Sequence, residues 1–198
     1  APDYIAARNA DISPTQKTPS EVVKPGYVAA MESAETTHFS IVDAAGNAVA
    51  ITTTLNGMYG AKVVVRGAGF FLNNEMDDFA IKPGHANQFG LLGDSKNAIA
   101  PGKRMLSSMT PTIVTKDGKL RAVVGTPGGA TIITSVFQTL SNMIDFNMSA
   151  AEAVHARKSH SQWQPDVVML EKGSMSLANM RGLSARGHRL YPYPYFKW

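Results

Sequence analysis

The 198-residue sequence predicts an α+β domain in which helices pack on antiparallel sheet. Three observations predict it. Residues 37–55 and 108–125 each read as two β-rich runs joined by a turn, Ala44-Ala45-Gly46-Asn47 in the first and Lys116-Asp117-Gly118-Lys119 in the second. Apolar residues then recur at helical spacing through Ile132, Ile133, Val136, Leu140, Met143 and Ile144. Strand pairs come first and helices after them, an order that suits a layered α+β domain rather than alternating βαβ units.

Residues 1–35 are polar and broken by Ser13-Pro14, Thr18-Pro19 and Lys24-Pro25-Gly26, so they read as a loosely structured arm accessible to processing. From Thr36 the pattern changes to period two: Thr37, Phe39 and Ile41 alternate with His38, Ser40 and Val42. Ala48 to Leu55 is the returning strand. Lys62-Val63-Val64-Val65 and Gly69 to Asn73 are expected as two further short strands. Residues 82–103, with Pro83-Gly84, Gly90, Gly93 and Pro101-Gly102, form a long loop of the kind that serves as a lid or binding loop. Gly128-Gly129 opens the main helix. Ser149 with Glu152 is a capping box for a second helix over 150–157. Val167 to Leu170 is expected as a strand and 176–186 as a helix closed by Gly187. The aromatic stretch Tyr191 to Trp198 has no partner segment after it.

Composition removes several function classes. With 44% hydrophobic and 17% charged residues the chain is globular, and no run approaches the ~18 apolar residues of a membrane span. Its start, Ala1-Pro2-Asp3-Tyr4, lacks a basic region followed by an apolar one. The net charge of +4 is scattered, with no basic stripe interleaved with aromatics for nucleic acid. The absence of cysteine excludes disulfides, thiolate metal sites and a thiol nucleophile. His38, His85, His155, His160 and His188 lack the H-E-x-x-H spacing of a zinc helix, and no cofactor or metal is expected.

Four groups of residues could carry chemistry. Thr36 opens a strand behind Glu35, and a threonine hydroxyl becomes a nucleophile only beside a base. Glu75 and Asp78 stand three apart and converge if the segment turns helically; they suit an ammonium ion, or are simply an acidic turn. The glycine and terminal glutamate of a calcium loop are absent. Ser107-Ser108 offers hydroxyl donors to a carboxylate, or serves as an ordinary turn. The amides of Gly128 and Gly129, at a helix start, can face a developing oxyanion or just make a tight strand-to-helix turn. The spacing of a dinucleotide-binding loop is missing.

Taken in order, Glu35-Thr36-Thr37-His38-Phe39-Ser40, Thr52-Thr53-Thr54-Leu55-Asn56, Asn73-Asn74-Glu75-Met76-Asp77-Asp78-Phe79, Arg104 to Thr112 and Gly125-Thr126-Pro127-Gly128-Gly129 resemble the small, catalytic subunit of the γ-glutamyltranspeptidases. The resemblance runs from about Tyr4 to about Leu190. It implies an N-terminal-nucleophile hydrolase fold, an αββα sandwich of two mainly antiparallel sheets between helical layers, incomplete in this chain. It also implies self-cleavage between Glu35 and Thr36, after which the freed α-amino group of Thr36 acts as base for its own hydroxyl. By the same resemblance Thr54 orients the nucleophile and Asn56 holds the amino-acid end of the substrate. Glu75 and Asp78 grip the substrate α-amino group, Ser107 and Ser108 bind its α-carboxylate, and Phe89 sits on the active-site lid.

The resemblance divides the chain into 1–35, the end of a large subunit; 36–190, the small catalytic subunit; and 191–198, an atypical tail. It implies glutathione and other γ-glutamyl amides as substrates, and water, amino acids or peptides as acceptors. The large subunit of the same precursor is the implied protein partner, and the location periplasmic or secreted. Two departures stand out: no arginine here is assignable to the large-subunit arginine that meets the substrate carboxylate, and the family's closing segment is missing after Leu190. Two rivals remain at this level, a glutaryl β-lactam acylase of the same superfamily and a non-catalytic fragment that acts only by binding.

Overall fold

The computed structural model describes residues 12–19 and 36–192. Its elements run β1 (Thr36–Val42), β2 (Ala48–Thr54), β3 (Thr112–Lys116), β4 (Lys119–Val124), α1 (Thr131–Ile144), α2 (Ala150–His155), β5 (Ser159–His160), β6 (Val168–Leu170), α3 (Leu177–Ala185) and β7 (Leu190–Pro192). Both expected hairpins are present as antiparallel pairs, β1 with β2 and β3 with β4, and β5, β6 and β7 form a third small sheet.

The first hairpin is fixed at its turn by Asp43, whose side chain accepts from the amides of Ala45 and Asn47 at 2.9 and 2.8 Å, while Gly46 takes the left-handed conformation at φ 86°. In the resulting register Thr36 lies opposite Thr54, and His38 opposite Thr52. The strand alternation sends Thr36, His38, Thr52 and Thr54 to one face and Phe39, Ile41, Val49 and Ile51 to the other. The polar face is the better packed: His38 lies against Gly125, just beyond β4, and Ser40 Oγ donates to the Val123 carbonyl at 3.3 Å. The apolar face is exposed, with Ile41 at 54% and Val49 at 43%.

Two expected strands shrink. Residues 62–65 and 69–73 form no strand pair but an isolated bridge at Val64–Phe71, flanked by bonds from the Val65 amide to the Phe70 carbonyl and from the Leu72 amide to the Val63 carbonyl, both at 2.9 Å. Left-handed residues at Lys62, Gly67 and Gly69 keep reversing the chain, so no extended run survives. Strand β3 starts at Thr112 rather than Ser108, since Pro111 has no N–H to give a ladder. The helices fall where expected. The Ser149–Glu152 capping box forms at α2, and Ser176 caps α3, which Gly187 closes at φ 94°.

Ile132, Val136, Ala153 and Leu170 are buried where α1, α2 and β6 lie, joined by Phe79, Ala80 and Phe89 from the long loops. His160 is buried beside α1, bonded to Thr134 Oγ1 at 2.7 Å and Gln162 Oε1 at 2.8 Å, and burial holds its pKa below the usual imidazole value. The start of the aromatic stretch is paired after all: Tyr191 lies beside Met169 in the parallel β6–β7 ladder. In the arm, residues 12–19 are docked rather than loose. Lys17 pairs with Asp166, its amide donates to the Arg186 carbonyl at 2.9 Å, and Arg186 Nε donates to the Pro14 carbonyl at 3.1 Å.

Candidate functional site

The site is built outward from the end of the first hairpin. Thr36 Oγ1 donates to Thr54 Oγ1 at 3.3 Å, and the Thr54 hydroxyl also accepts from the Asn56 amide at 3.0 Å. Glu35, on the other side of the expected cleavage point, lies outside the described residues. Asn56 does not continue the strand. β2 ends at Thr54, and Asn56 turns left-handed at φ 73°, a conformation asparagine tolerates better than most residues. It is nevertheless buried, at 6% exposure, and its Nδ2 donates to the Asn74 carbonyl at 3.1 Å. The turn, not strand alternation, orients it.

That bond joins the hairpin to the acidic segment, where Glu75–Asp78 forms one turn of 3-10 helix. Glu75 and Asp78 are therefore brought to one side, as their spacing required. Glu75 Oε1 is buried without a hydrogen-bond partner. Burial, with the Asp78 charge adding to it, pushes the Glu75 carboxyl up to about 7. Burial and then the neighbouring Asp77 charge push Asp78 up to about 6. Both carboxyls so placed are protonated more readily than an exposed carboxylate, and each would ionise more easily beside a positive charge.

Asp77 points elsewhere. Its Oδ2 accepts the Gln88 amide at 3.1 Å, tying the acidic turn to the long loop. Asn87 shapes the tip of that loop, its side-chain oxygen accepting from the amides of Phe89 and Leu91 at 3.0 and 2.9 Å. The turn so formed drives Phe89 inward to 7% exposure. Around it, His85, Asn87, Leu91 and Leu92 line a cleft together with Asp78 and Ser108, whereas Phe89 does not line it. Ser108 thus lines the same cleft as one of the two acids, with no hydrogen bond between them. Ser107 is exposed, and its Oγ accepts from the Met109 amide at 3.1 Å, which is a turn's bond.

Gly128 and Gly129 end the strand-to-helix turn at φ 138° and 58°, with their carbonyls capping the amides of Thr131 and Ile132 at 3.1 and 3.2 Å. Both are buried, and among the described residues neither amide donates a hydrogen bond. Buried amides are rarely left so. No hydrogen bond joins them to Thr36. The link is steric: a Cβ on Gly125 would stand 2.1 Å from His38 Cε1, so the imidazole is seated directly on the backbone three residues before Gly128. Its ring nitrogens meet Thr52 Oγ1 at 2.8 Å and Ser40 Oγ at 3.0 Å.

Sequence reading left His38, Asn74 and Asp77 without a role. Only their neighbourhood to motif residues marked them. Among the described residues no three His, Asp or Glu side chains gather as a metal would need, and no helix is long and apolar enough to cross a membrane.

The family model described as Gamma-glutamyltranspeptidase matches residues 1–196. The chain belongs to the γ-glutamyltranspeptidase family. A glutathione hydrolase proenzyme from Pseudomonas aeruginosa is 57% identical over 164 residues, which is 83% of this chain and 29% of that protein. The chain thus spans less than a third of that relative. A mutant of Helicobacter pylori γ-glutamyltranspeptidase superposes with a TM-score of 0.77 at 51% identity, over 80% of this chain and 85% of that one. The family's N-terminal-nucleophile hydrolase fold is accordingly the fold of this chain, represented here by part of a domain. A more distant relative, the acylase ACY 1 proenzyme of a Pseudomonas strain (SE83), is 38% identical over 163 residues, 82% of this chain and 27% of its own length.

Proposed function

We propose that this chain is the catalytic segment of a γ-glutamyltranspeptidase precursor that transfers or hydrolyses the γ-glutamyl group of glutathione and related amides. One observation carries the reading: Glu75 Oε1 is buried and unpartnered on a turn bonded to the end of the strand that pairs with Thr36. A substrate α-ammonium placed there would give that oxygen a charged partner.

Cleavage between Glu35 and Thr36 would free the Thr36 α-amino group, whose ordinary pKa of about 8 suits it to take the Oγ1 proton. Oγ1 then attacks the γ-carbonyl. The C=O electrons move to oxygen, and the amides of Gly128 and Gly129 receive that charge. Collapse expels the amine, which leaves with the proton held by the α-amino group, and a γ-glutamyl ester remains on Thr36. Water, an amino acid or a peptide attacks the ester in the reverse sense. Thr54 holds the nucleophile's rotamer, Asn56 fixes the turn beside it, Glu75 and Asp78 take the ammonium, and Ser107 and Ser108 take the α-carboxylate. Phe89 anchors the lid loop. The upstream part of the precursor is the partner, and a periplasmic or secreted location follows the family.

The ACY 1 relative supports an acylase reading without naming the acyl group, yet a glutaryl group carries no ammonium to answer Glu75 and Asp78. The test compares the precursor with its Thr36→Ala variant by intact mass and with a chromogenic γ-glutamyl anilide. Thr36→Ala should abolish both cleavage and turnover. Turnover by the variant, or a faster reaction with glutaryl anilide in the parent, would overturn the proposal.

A further inference from the structure

Asn74 commits all four of its polar groups to bonds among three segments. Its amide donates to the Leu55 carbonyl at 3.1 Å, and its carbonyl accepts from Asn56 Nδ2 and from the Asp77 amide, both at 3.1 Å. Its side-chain Oδ1 accepts from the Gly57 amide at 2.9 Å, and its Nδ2 donates to Gln88 Oε1 at 3.4 Å. The side-chain orientation follows from chemistry, because the Gly57 N–H can only donate. Gly57 leaves the space: a Cβ there would stand 3.2 Å from Gln88 Oε1 and 3.4 Å from Asn74 Oδ1.

Asn74 is thus bonded on one side to the exit of β2, two residues beyond Thr54, and on the other to the turn carrying Glu75 and Asp78. These two sides are the ends of a ruler. A γ-glutamyl group spans a fixed number of bonds between its ammonium and the carbonyl attacked, and a β-aspartyl group spans one methylene fewer. We infer that Asn74 is a positioning residue that sets this span and so selects γ-linked over β-linked acyl groups. The inference rests on the roles proposed above for Thr36, Glu75 and Asp78.

The experiment uses the processed enzyme from the complete precursor. It measures kcat and KM separately for γ-glutamyl, β-aspartyl and glutaryl anilides, with thermal unfolding alongside. Asn74→Ala should lower the γ-glutamyl to β-aspartyl preference by ~10-fold or more, the scale on which one methylene is discriminated. KM for the γ-glutamyl anilide should rise while the slow glutaryl reaction, which has no ammonium to place, is unchanged. Asn74→Asp keeps the acceptor for the Gly57 amide and should restore most of the preference. Asn74→Ser, which loses that reach with less disturbance, is read in the same way if Asn74→Ala fails to fold. An unaltered preference in a folded Ala or Ser variant overturns the inference. So does an equal loss on all three substrates with a falling unfolding temperature, because that describes a general prop for the fold. A parent enzyme that does not favour γ-glutamyl over glutaryl anilide overturns the ammonium clamp itself and the ruler with it. In the predicted case the clamp is intact in the parent and only its spacing is lost in the variant.

Discussion

At the scale of single residues, the two raised carboxyls make a directional statement about pH. Glu75 moves from 4.5 to about 7, so between those values the folded chain keeps a proton that the unfolded chain gives up. Folding is therefore weakened as pH rises through that window, the reverse of the usual paired carboxylate. Glu75→Gln should be more stable than the parent at pH 8 and equal to it near pH 4, as read by urea unfolding at the two pH values. On the proposed binding role of Glu75, catalysis runs against stability. A substrate ammonium needs the ionised form, so KM for a γ-glutamyl anilide should rise as pH falls from 8 to 6, and Glu75→Gln should flatten that rise. A pH-independent KM in the parent would remove Glu75 from the binding site. The spacing of Glu75 and Asp78 was legible in the sequence. The orphaned oxygen was not, because burial is set by segments far along the chain.

At the scale of elements, the hairpins were readable because their turns carry the needed chemistry in a few adjacent residues, such as Asp43 and Gly46. The 62–73 segment was not, because valines and phenylalanines favour strand while the glycines and Lys62 between them reverse the backbone, and the reversals won. The short strands β5 and β7 are too brief to show a period. The contact between β1 and the end of β4 was also invisible to sequence, though it joins the strand of Thr36 to the Gly128-Gly129 turn. Gly125→Ala would put a methyl group within 2.2 Å of both Cε1 and Nδ1 of His38, forcing the ring off Thr52. Overpacking of this kind costs about 1–3 kcal/mol. Unfolding in urea should show that loss, and His38→Ala in the same chain should recover most of it. Simple addition of the two losses would mean that the ring and Gly125 do not share the space.

At the scale of the whole molecule, the packing is inverted relative to the simplest expectation for an amphipathic hairpin. The face bearing Thr36, His38, Thr52 and Thr54 turns inward to β4, while Phe39, Ile41, Val49 and Ile51 are 40–54% exposed. Phe137 on α1 is exposed at 69%. Apolar surface of this kind binds amphiphilic dyes. The 198-residue chain by itself should therefore raise anilinonaphthalenesulfonate fluorescence strongly, and Ile41→Thr with Ile51→Thr should reduce the signal without altering the hairpin's register. An unlabelled surface would mean that this face is covered in solution.

The sequence by itself determined the family, the order of the elements and the identity of most candidate site residues, because those are properties of ordered local motifs. Hydroxyls at Thr36 and Thr54, acids three apart and paired glycines before a helix can be read from neighbours alone. Only the tertiary structure decided how those motifs meet. It turned Asn56 by a left-handed residue rather than by strand alternation, separated Ser108 in the cleft from Ser107 in a turn, and drew Phe89 inward. It also made Asn74 a junction among three segments. Each of these depends on hydrogen bonds and steric fit between segments remote in the chain, and no local pattern encodes which remote segment will supply them.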